Sequence, residues 1–493
     1  MRLTLDTRSI PDYETFLKVK TLPKYSIVGH TAEFPDEYAA MIGLKPSATD
    51  TVTYRPSKWM FDYQRDISRM AIEKRKFCVF ADCGLGKTMV LLDFAKHVHK
   101  QHKDGRVLIV SPLMVIGQTC AEAEKFYGKT LPIKQLRANE IAEWMRTGSG
   151  IGITNYEAIT DDLPQTLLDG LILDESSMLK SHYGAWGTRL IAMGRGVPYK
   201  LCLTGTPAPN DRIEYANHAV FMDAYPTVNS FLARFFVNRG QTSERWELKA
   251  HALGAFYIAL SHWCIFLTNP ATYGWKDNCG TLPPIVIHKH EVPVTSAQRD
   301  AFMGDHGALF VDGAGGIGSR GKIARIGKGF HNGERIDSNK TKYIADLIAS
   351  WPDESTIVWC KYNQEQDDIA AALPGCGNIS GDTPIAEREQ IIDGFKRGEI
   401  RVIVTKPKIL GFGLNLQVCT RQVFSGLQDS YEEFYQAVKR SNRYGSTRPL
   451  NVHIPMTEYE APMVDNVLRK ADRVQHDTNE QERIFHEYAS AGR

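Results

Sequence analysis

From Phe61 onward the chain alternates short apolar, β-branched runs with amphipathic stretches. KFCVFAD is followed by MVLLDFAKHVHK and RVLIVSP by QTCAEAEKFY, and GIGITN, GLILDE and YKLCLTGTP complete the series. Strands separated by helices predict a parallel sheet covered on both faces, because each crossover lays a helix against it. Residues 211 to about 335 break this rhythm with helical, aromatic-rich segments and then the glycine-rich, basic GAGGIGSRGKIARIGKGF, which predicts an insertion or linker. The alternation resumes with KTKYIADLIASW, STIVWCKY, QEQDDIAAAL, AEREQIIDGFKRG, IRVIVT, RQVFSG and YEEFYQAVKRSNR, a second α/β unit. The expected organisation is an N-terminal appendage (1–55), a first α/β unit (56–225), a helical insertion with a basic linker (226–335), a second α/β unit (336–457) and a C-terminal helical tail (458–493).

Composition narrows the partners. At 493 residues the chain is too long for one ordinary core. Lys plus Arg number 59 against 57 for Asp plus Glu, so the net charge of +2 does not by itself draw the chain to an anionic polymer, and any nucleic-acid site must be a local patch. The nine cysteines lie singly, several inside apolar runs, with no CxxC pair, which fits thiols in a reducing compartment and argues against a zinc module or a disulfide framework. Charges in MRLTLDTRSIPDYE interrupt any secretory segment, and no apolar run has the length of a membrane span, so a cytoplasmic protein is expected. The histidines of HVHKQH at 97, 99 and 102 read as a solvated helix end, and HKH at 288–290 places two histidines on one strand face with no carboxylate or cysteine cluster nearby in sequence.

The candidate chemistry begins at ADCGLGKT, residues 81–88, where a strand turns tightly into a helix. Gly84 and Gly86 let backbone approach an anion, the helix N-terminus offers free N–H groups, Lys87 supplies a mobile cation and Thr88 a hydroxyl for Mg²⁺. The strict phosphate-loop pattern asks for glycine where this chain has Ala81. Downstream, LILDESSMLK ends a strand in Asp174 and Glu175, a pair suited to holding hydrated Mg²⁺ and to orienting or deprotonating an attacking water. Gln64 in FDYQRD could read an adenine edge or stand exposed near a helix start, and Thr204, Gly205 and Thr206 in LTGTP could couple phosphate state to the neighbouring unit or form a plain strand-to-loop turn. In YQAVKRSNRYGS, Gln436, Arg440 and Arg443 fall at offsets of four and three and would share one helix face. A second unit without a phosphate loop gives these arginines a use, neutralising charge on a phosphoryl group bound by the first.

The ordered set YQRD, DCGLGKT, SPLMVIGQ, ITNYE, DESSMLKS, LTGTPAPN, SGDTP, GFGLNLQ and QAVKRSNRYGS resembles the motor of superfamily-two helicases of the Swi/Snf-like branch, above all its compact bacterial and bacteriophage members, over about residues 58–457. The resemblance implies two RecA-like lobes in tandem. It also implies an ATP site in which Gln64 contacts adenine, Gly84, Gly86, Lys87 and Thr88 bind phosphates and Mg²⁺, and Asp174 and Glu175 serve metal and water. Arg440 and Arg443 match the family's motif arginines, with Gln436 beside them. Ser176 and Ser177 replace the Gly–His of many relatives, and TKPKILGFGLNLQ lacks the double glycine of chromatin-remodelling enzymes.

The implied partner is DNA, double-stranded and gripped without sequence preference through its phosphates, while the oligomeric state stays open, with a monomer among the options. Arg320, Lys322, Arg325, Lys328 and Arg335, facing only Glu334, add a candidate flexible phosphate-binding loop, whose alternative is a solvated linker. Three activities remain open: an ATP-driven translocase on duplex DNA, a strand-separating or fork-remodelling helicase, and a nucleic-acid-binding scaffold that uses ATP as a switch. The intact Lys87, Asp174, Glu175, Arg440 and Arg443 argue against the last.

Overall fold

The computed structural model describes residues 1–493 apart from 7, 23, 46–52, 102–104, 165–167, 181–183, 241–244, 277–281, 307–316, 411–415, 428–429, 444–445 and 492–493. His102 and most of GFGLNLQ therefore lie outside the described residues. Two units divide the chain, one formed by residues 1–278 and 475–493, the other by residues 279–474.

In the first unit seven strands form one sheet in the order Cys264–Leu267, Lys76–Ala81, Tyr199–Thr204, Gly170–Asp174, Arg106–Ser111, Gly150–Asn155 and Ile133–Gln135. Every neighbouring pair is parallel, so the strand ends that carry the sequence motifs all open on one edge. The strand Cys264–Leu267 comes from the stretch read as a helical insertion and pairs with the phosphate-loop strand. Its run CIFL is short and wholly buried, a pattern that cannot be told from the end of the preceding helix by periodicity.

Residues 1–44 build a three-stranded antiparallel sheet, Arg2–Thr4, Thr31–Glu33 and Ser26–Val28, with the helix Ile10–Thr21 against it. The weak alternation in YSIVGHTAEF is a hairpin whose turn uses Gly29 at φ 57°. Val19, Leu22, Ala32 and Phe34 form its core, and Ile258 of the first lobe packs against it. Arg234 donates to the Leu22 carbonyl at 2.6 Å, which ties this small sheet to the lobe.

The second unit carries six parallel strands in the order Ile285–Glu291, Leu450–Met456, Arg421–Phe424, Thr356–Trp359, Val402–Thr405 and Gly377–Ile379. Ile357, Trp359 and Ile403 face one core, while Val358, Val402 and Val404 face another, so helices cover both sides as the alternation predicts. Its edge strand Ile285–Glu291 also falls within the stretch read as a linker. The tail is one helix, Ala461–Ala491. It is more than a polar tail, because Val464 and Val467 are buried in the second unit's core. Further along, Asp477 takes Arg212 and Tyr257 as hydrogen-bond donors in the first unit, and Glu482 takes Thr268.

The two histidines of HKH do share a face, and they meet a third. His290 Nε2 lies 2.9 Å from His453 Nδ1, and His288 stacks on His453 with centroids 4.6 Å apart. Arg421 can only donate, so its bond to His453 Nε2 at 3.0 Å puts the His453 proton on Nδ1, which donates to His290. His290 then donates through Nδ1 to Tyr343 at 3.2 Å. This directed chain exists only with neutral imidazoles. Burial, reinforced by His288, His290 and Arg421, lowers the His453 pKa to about 3, and burial also lowers that of His290.

A histidine held neutral in the fold binds fewer protons than its unfolded counterpart below the ordinary value of 6.5, so stability falls as pH drops from there toward 3. The second unit should lose roughly 2 kcal/mol between neutral pH and pH 5 from this group. Denaturant unfolding from pH 8 to pH 5 should show the loss, and His453→Gln should flatten it; parallel pH profiles for the two proteins would exclude the cluster as its source.

Candidate nucleotide site

The strand Lys76–Ala81 ends in a turn that enters the helix Lys87–Gln101. Gly84 at φ 89° and Gly86 at φ 68° occupy the left-handed region that makes this turn possible. A Cβ at Gly86 would lie 2.3 Å from Gln64 Nε2, so any side chain there would have to displace the Gln64 amide. Ala81 is still within the strand, paired with Leu267 and buried, and its departure from the strict motif falls outside the glycine turn. Lys87 Nζ donates to the carbonyls of Ala81 at 2.9 Å and Asp82 at 3.3 Å, folded back over its own loop. Burial opposes its charge, but Cys83, Glu175, Asp82 and Asp174 outweigh that and raise its pKa, so it stays an ammonium.

Asp174 is the last residue of its strand, two strands from the phosphate loop, and the strand between them ends in Thr204. Ser111 donates to Asp174 Oδ2 at 2.9 Å and Tyr156 to the Asp174 carbonyl at 2.7 Å. Burial, with the Glu175 charge beside it, pushes Asp174 up to about 6 against the pull of Ser111 and Lys87. Burial and the Glu175 charge thus outweigh the Lys87 cation, and the hard oxygens of the Asp174 carboxylate match what Mg²⁺ requires. Glu175 sits at φ 49°, ψ 54°, a left-handed conformation that is unfavourable for glutamate by about 1–2 kcal/mol. Thr206 N–H donates to Thr204 Oγ1 at 3.1 Å, and that hydroxyl donates to Glu175 Oε2 at 3.2 Å, which fixes the carboxylate. Thr204 of LTGTP is thus in contact with Glu175. Ser176 bonds the ring of the buried His218 at 3.1 Å.

Gln64 is buried with both ends of its amide engaged. Oε1 accepts from Phe61 N–H at 3.0 Å, and Nε2 donates to the Leu85 carbonyl at 3.2 Å, so in this state it braces the phosphate loop. Oε1 keeps a second lone pair for an adenine amino group, whereas donation to the adenine ring requires exchanging one of the Nε2 bonds. Tyr63 donates to the same carbonyl at 3.0 Å. Phe61, Tyr63 and Trp275 form a succession of rings beside Gln64, with centroids 5.9 and 6.4 Å apart, and Phe61 is 44% exposed. Phe61 and Tyr63 were missed although they adjoin Gln64 in FDYQRD, whereas Trp275, held by Asp66 at 2.8 Å, carries no local signal.

In the second unit the helix Tyr431–Val438 holds Gln436 but stops before both arginines, contrary to the shared helix face expected from their spacing. Gln422 Nε2 donates to the Ala437 carbonyl at 3.0 Å, the acceptor a continuing helix would offer to the Ser441 N–H. The Ser441 amide turns to Val438 instead, three residues back, while Asn442 bonds the same carbonyl four residues back. Arg440 is 3% exposed, while Arg443 is half-buried and donates through Nε to the Lys439 carbonyl at 2.6 Å.

The basic stretch is not a flexible loop. Ile317–Gly327 is a helix, because Ile323 and Ala324 bury against Met463, and Asn332–Gly333 then turns a two-stranded hairpin. Lys322 and Arg325 are exposed, with Arg325 5.0 Å from the Tyr362 ring centre, and Arg320 is half-buried. Lys328 cannot serve as a phosphate contact. It is fully buried, 3.1 Å from Glu365 and 3.4 Å from Glu460, and it donates to the Ser425 carbonyl. Arg335 pairs with Asp368 at 2.8 Å.

Two family models match the chain, the SNF2-related domain over residues 55–258 and the helicase conserved C-terminal domain over residues 339–445. The chain is 22% identical over 427 residues to the DNA annealing helicase and endonuclease ZRANB3 of Bos taurus, covering 80% of this chain and 38% of that protein. It is 29% identical over 129 residues to the ATP-dependent helicase fft1 of Schizosaccharomyces pombe, 25% of this chain and 14% of that one. With the DNA 3'-5' helicase XPB of Mycobacterium tuberculosis it shares 33% identity over 102 residues, 20% and 18% of the two chains. These matches span well under half the length of each curated relative. A solved structure, the Sulfolobus solfataricus SWI2/SNF2 ATPase core in complex with dsDNA, aligns over 88% of this chain and 96% of that one, at 18% identity and a TM-score of 0.42. Both halves of the helicase core are matched in order, and the chain belongs to the SNF2-related (Swi/Snf) branch of the superfamily-two helicases.

Proposed function

We propose that the chain is a DNA-stimulated ATPase that converts ATP hydrolysis into movement along double-stranded DNA. The observation that carries this reading is the convergence of Lys87, Asp174 and the Thr204–Glu175 pair on one edge of the first sheet. Lys87, released from the Ala81 and Asp82 carbonyls, binds the β- and γ-phosphates of ATP, and the glycines bring backbone N–H groups to the same oxygens. Asp174 and Thr88 would hold Mg²⁺, which would supply charge neutralisation for the phosphates. Glu175, oriented by Thr204, accepts a proton from the attacking water. Arg440 and Arg443 supply the positive charge that the transferred phosphoryl group demands, and Gln436 stands on the helix just before them. Arg320, Lys322 and Arg325 remain candidates for DNA phosphates.

Such a motor follows phosphates while the duplex stays paired, so its force appears as displacement of whatever the duplex carries. A triplex-forming third strand should be stripped in an ATP-dependent manner, while a blunt duplex remains unseparated under the same conditions. Efficient unwinding of a tailed duplex without triplex displacement would replace this reading with a strand-separating helicase.

A further inference from the structure

A cavity of about 720 Å³ lies where the N-terminal sheet meets the first lobe, remote in sequence from every motif of the ATP site. Its wall includes three cations, Arg2, Lys24 and Arg234, and three rings, Tyr25, Phe34 and Tyr225. The two sets are interleaved: the Arg234 guanidinium lies 5.1 Å from the Tyr25 ring centre, and Lys24 Nζ lies 5.5 Å from that of Tyr225. Phe34 and Tyr225 are buried and form a fixed apolar floor, whereas Tyr25 is half-exposed and Arg2 is exposed at the rim. The one carboxylate in the wall, Glu33, is the cross-strand partner of Arg2 and lies 3.3 Å from it. Three cationic side chains thus stand in the wall against one carboxylate.

We propose that this cavity binds an unpaired nucleotide of a DNA single strand, with its base on Tyr25 and its phosphate among Arg2, Lys24 and Arg234. Aromatic faces together with cations are what sequence-independent recognition of a single strand uses, stacking for the base and charge for the backbone. An acidic peptide would draw on the cations and leave the rings unused, and a paired duplex keeps its base faces covered. The volume is within the range of small-ligand pockets, about 300–1,000 Å³, and suits one nucleotide with part of its neighbour. The source of the nucleotide rests on the core acting on DNA; the chemistry of the cavity does not. The substrate class that results is a duplex continued by a single-stranded tail.

The test compares the full chain's affinity, by fluorescence anisotropy at one salt concentration, for a blunt duplex and for the same duplex carrying an oligothymidylate tail of about twelve bases. The wild-type chain should prefer the tailed duplex by about tenfold or more, a preference of order 1.4 kcal/mol. Tyr25→Ala should reduce the ratio to near one, and Tyr25→Trp should preserve it because the stacking face is kept. Should Tyr25→Ala fail to fold, Arg2→Ala at the exposed rim should still lower the ratio. An unchanged ratio in these variants overturns the proposal, as does an equal loss on both duplexes. Binding of free thymidine monophosphate without any preference for the tail also overturns it. Absence of ATPase stimulation by any DNA would instead count against the core's proposed function, and a tail preference dependent on Tyr25 would survive that result.

Discussion

Glu175→Gln should yield a chain that still binds ATP with Mg²⁺ but hydrolyses it about 10²–10⁴-fold more slowly, the range expected for loss of a positioned proton acceptor. The substitution keeps the side chain's shape and leaves an amide oxygen for the Thr204 hydroxyl, which now lies 3.2 Å from Oε2. It removes the ability to take a proton from water. The backbone argues for the same specificity. Glu175 is one of four described non-glycine residues at positive φ, and this local strain is retained at the end of the strand that also carries Asp174. Asp174 accepts from Ser111 and holds its own place, so phosphate and metal binding should persist in the variant. ATP affinity by equilibrium binding, paired with single-turnover hydrolysis, separates the two effects. Near-normal turnover would assign the proton to another residue.

What could be read from the sequence was what is encoded over short distances. ADCGLGKT contains its own strand end, glycine turn and helix start within eight residues, and the strand LILD delivers Asp174 to the same sheet edge whatever surrounds it. Readings failed where a distant residue decided the outcome. The spacing of Gln436, Arg440 and Arg443 is helical, but Gln422, from a strand, takes the carbonyl that continuation of the helix needs. Lys328 belongs to a basic run, yet its carboxylate Glu460 lies 132 residues away. Charge counting along the chain could not show that this cation was already occupied, nor that buried isoleucines make its neighbours helical. The three-histidine cluster likewise needed His453, 163 residues beyond His290.

Arg443→Ala should retain ATP binding and lose hydrolysis, by about 10³–10⁵-fold if the residue acts as arginines do on phosphoryl transfer elsewhere. The structure makes Arg443 a cleaner probe than Arg440. Arg440 is 3% exposed, and its truncation would leave a cavity and disturb the packing around it. Arg443 is half-buried, and its bond from the charged Nε to the Lys439 carbonyl is worth about 1.5–3 kcal/mol to the fold, so thermal unfolding of the variant is measured beside its turnover. A turnover defect in a protein of nearly unchanged stability would therefore reflect the reaction. An interaction that forms only as charge builds on the phosphoryl group lowers turnover without weakening ground-state binding. Arg443→Lys, which keeps the charge but not the planar fork, should recover only part of the rate. A large loss of ATP affinity with turnover intact would place Arg443 in nucleotide binding rather than in the hydrolytic step.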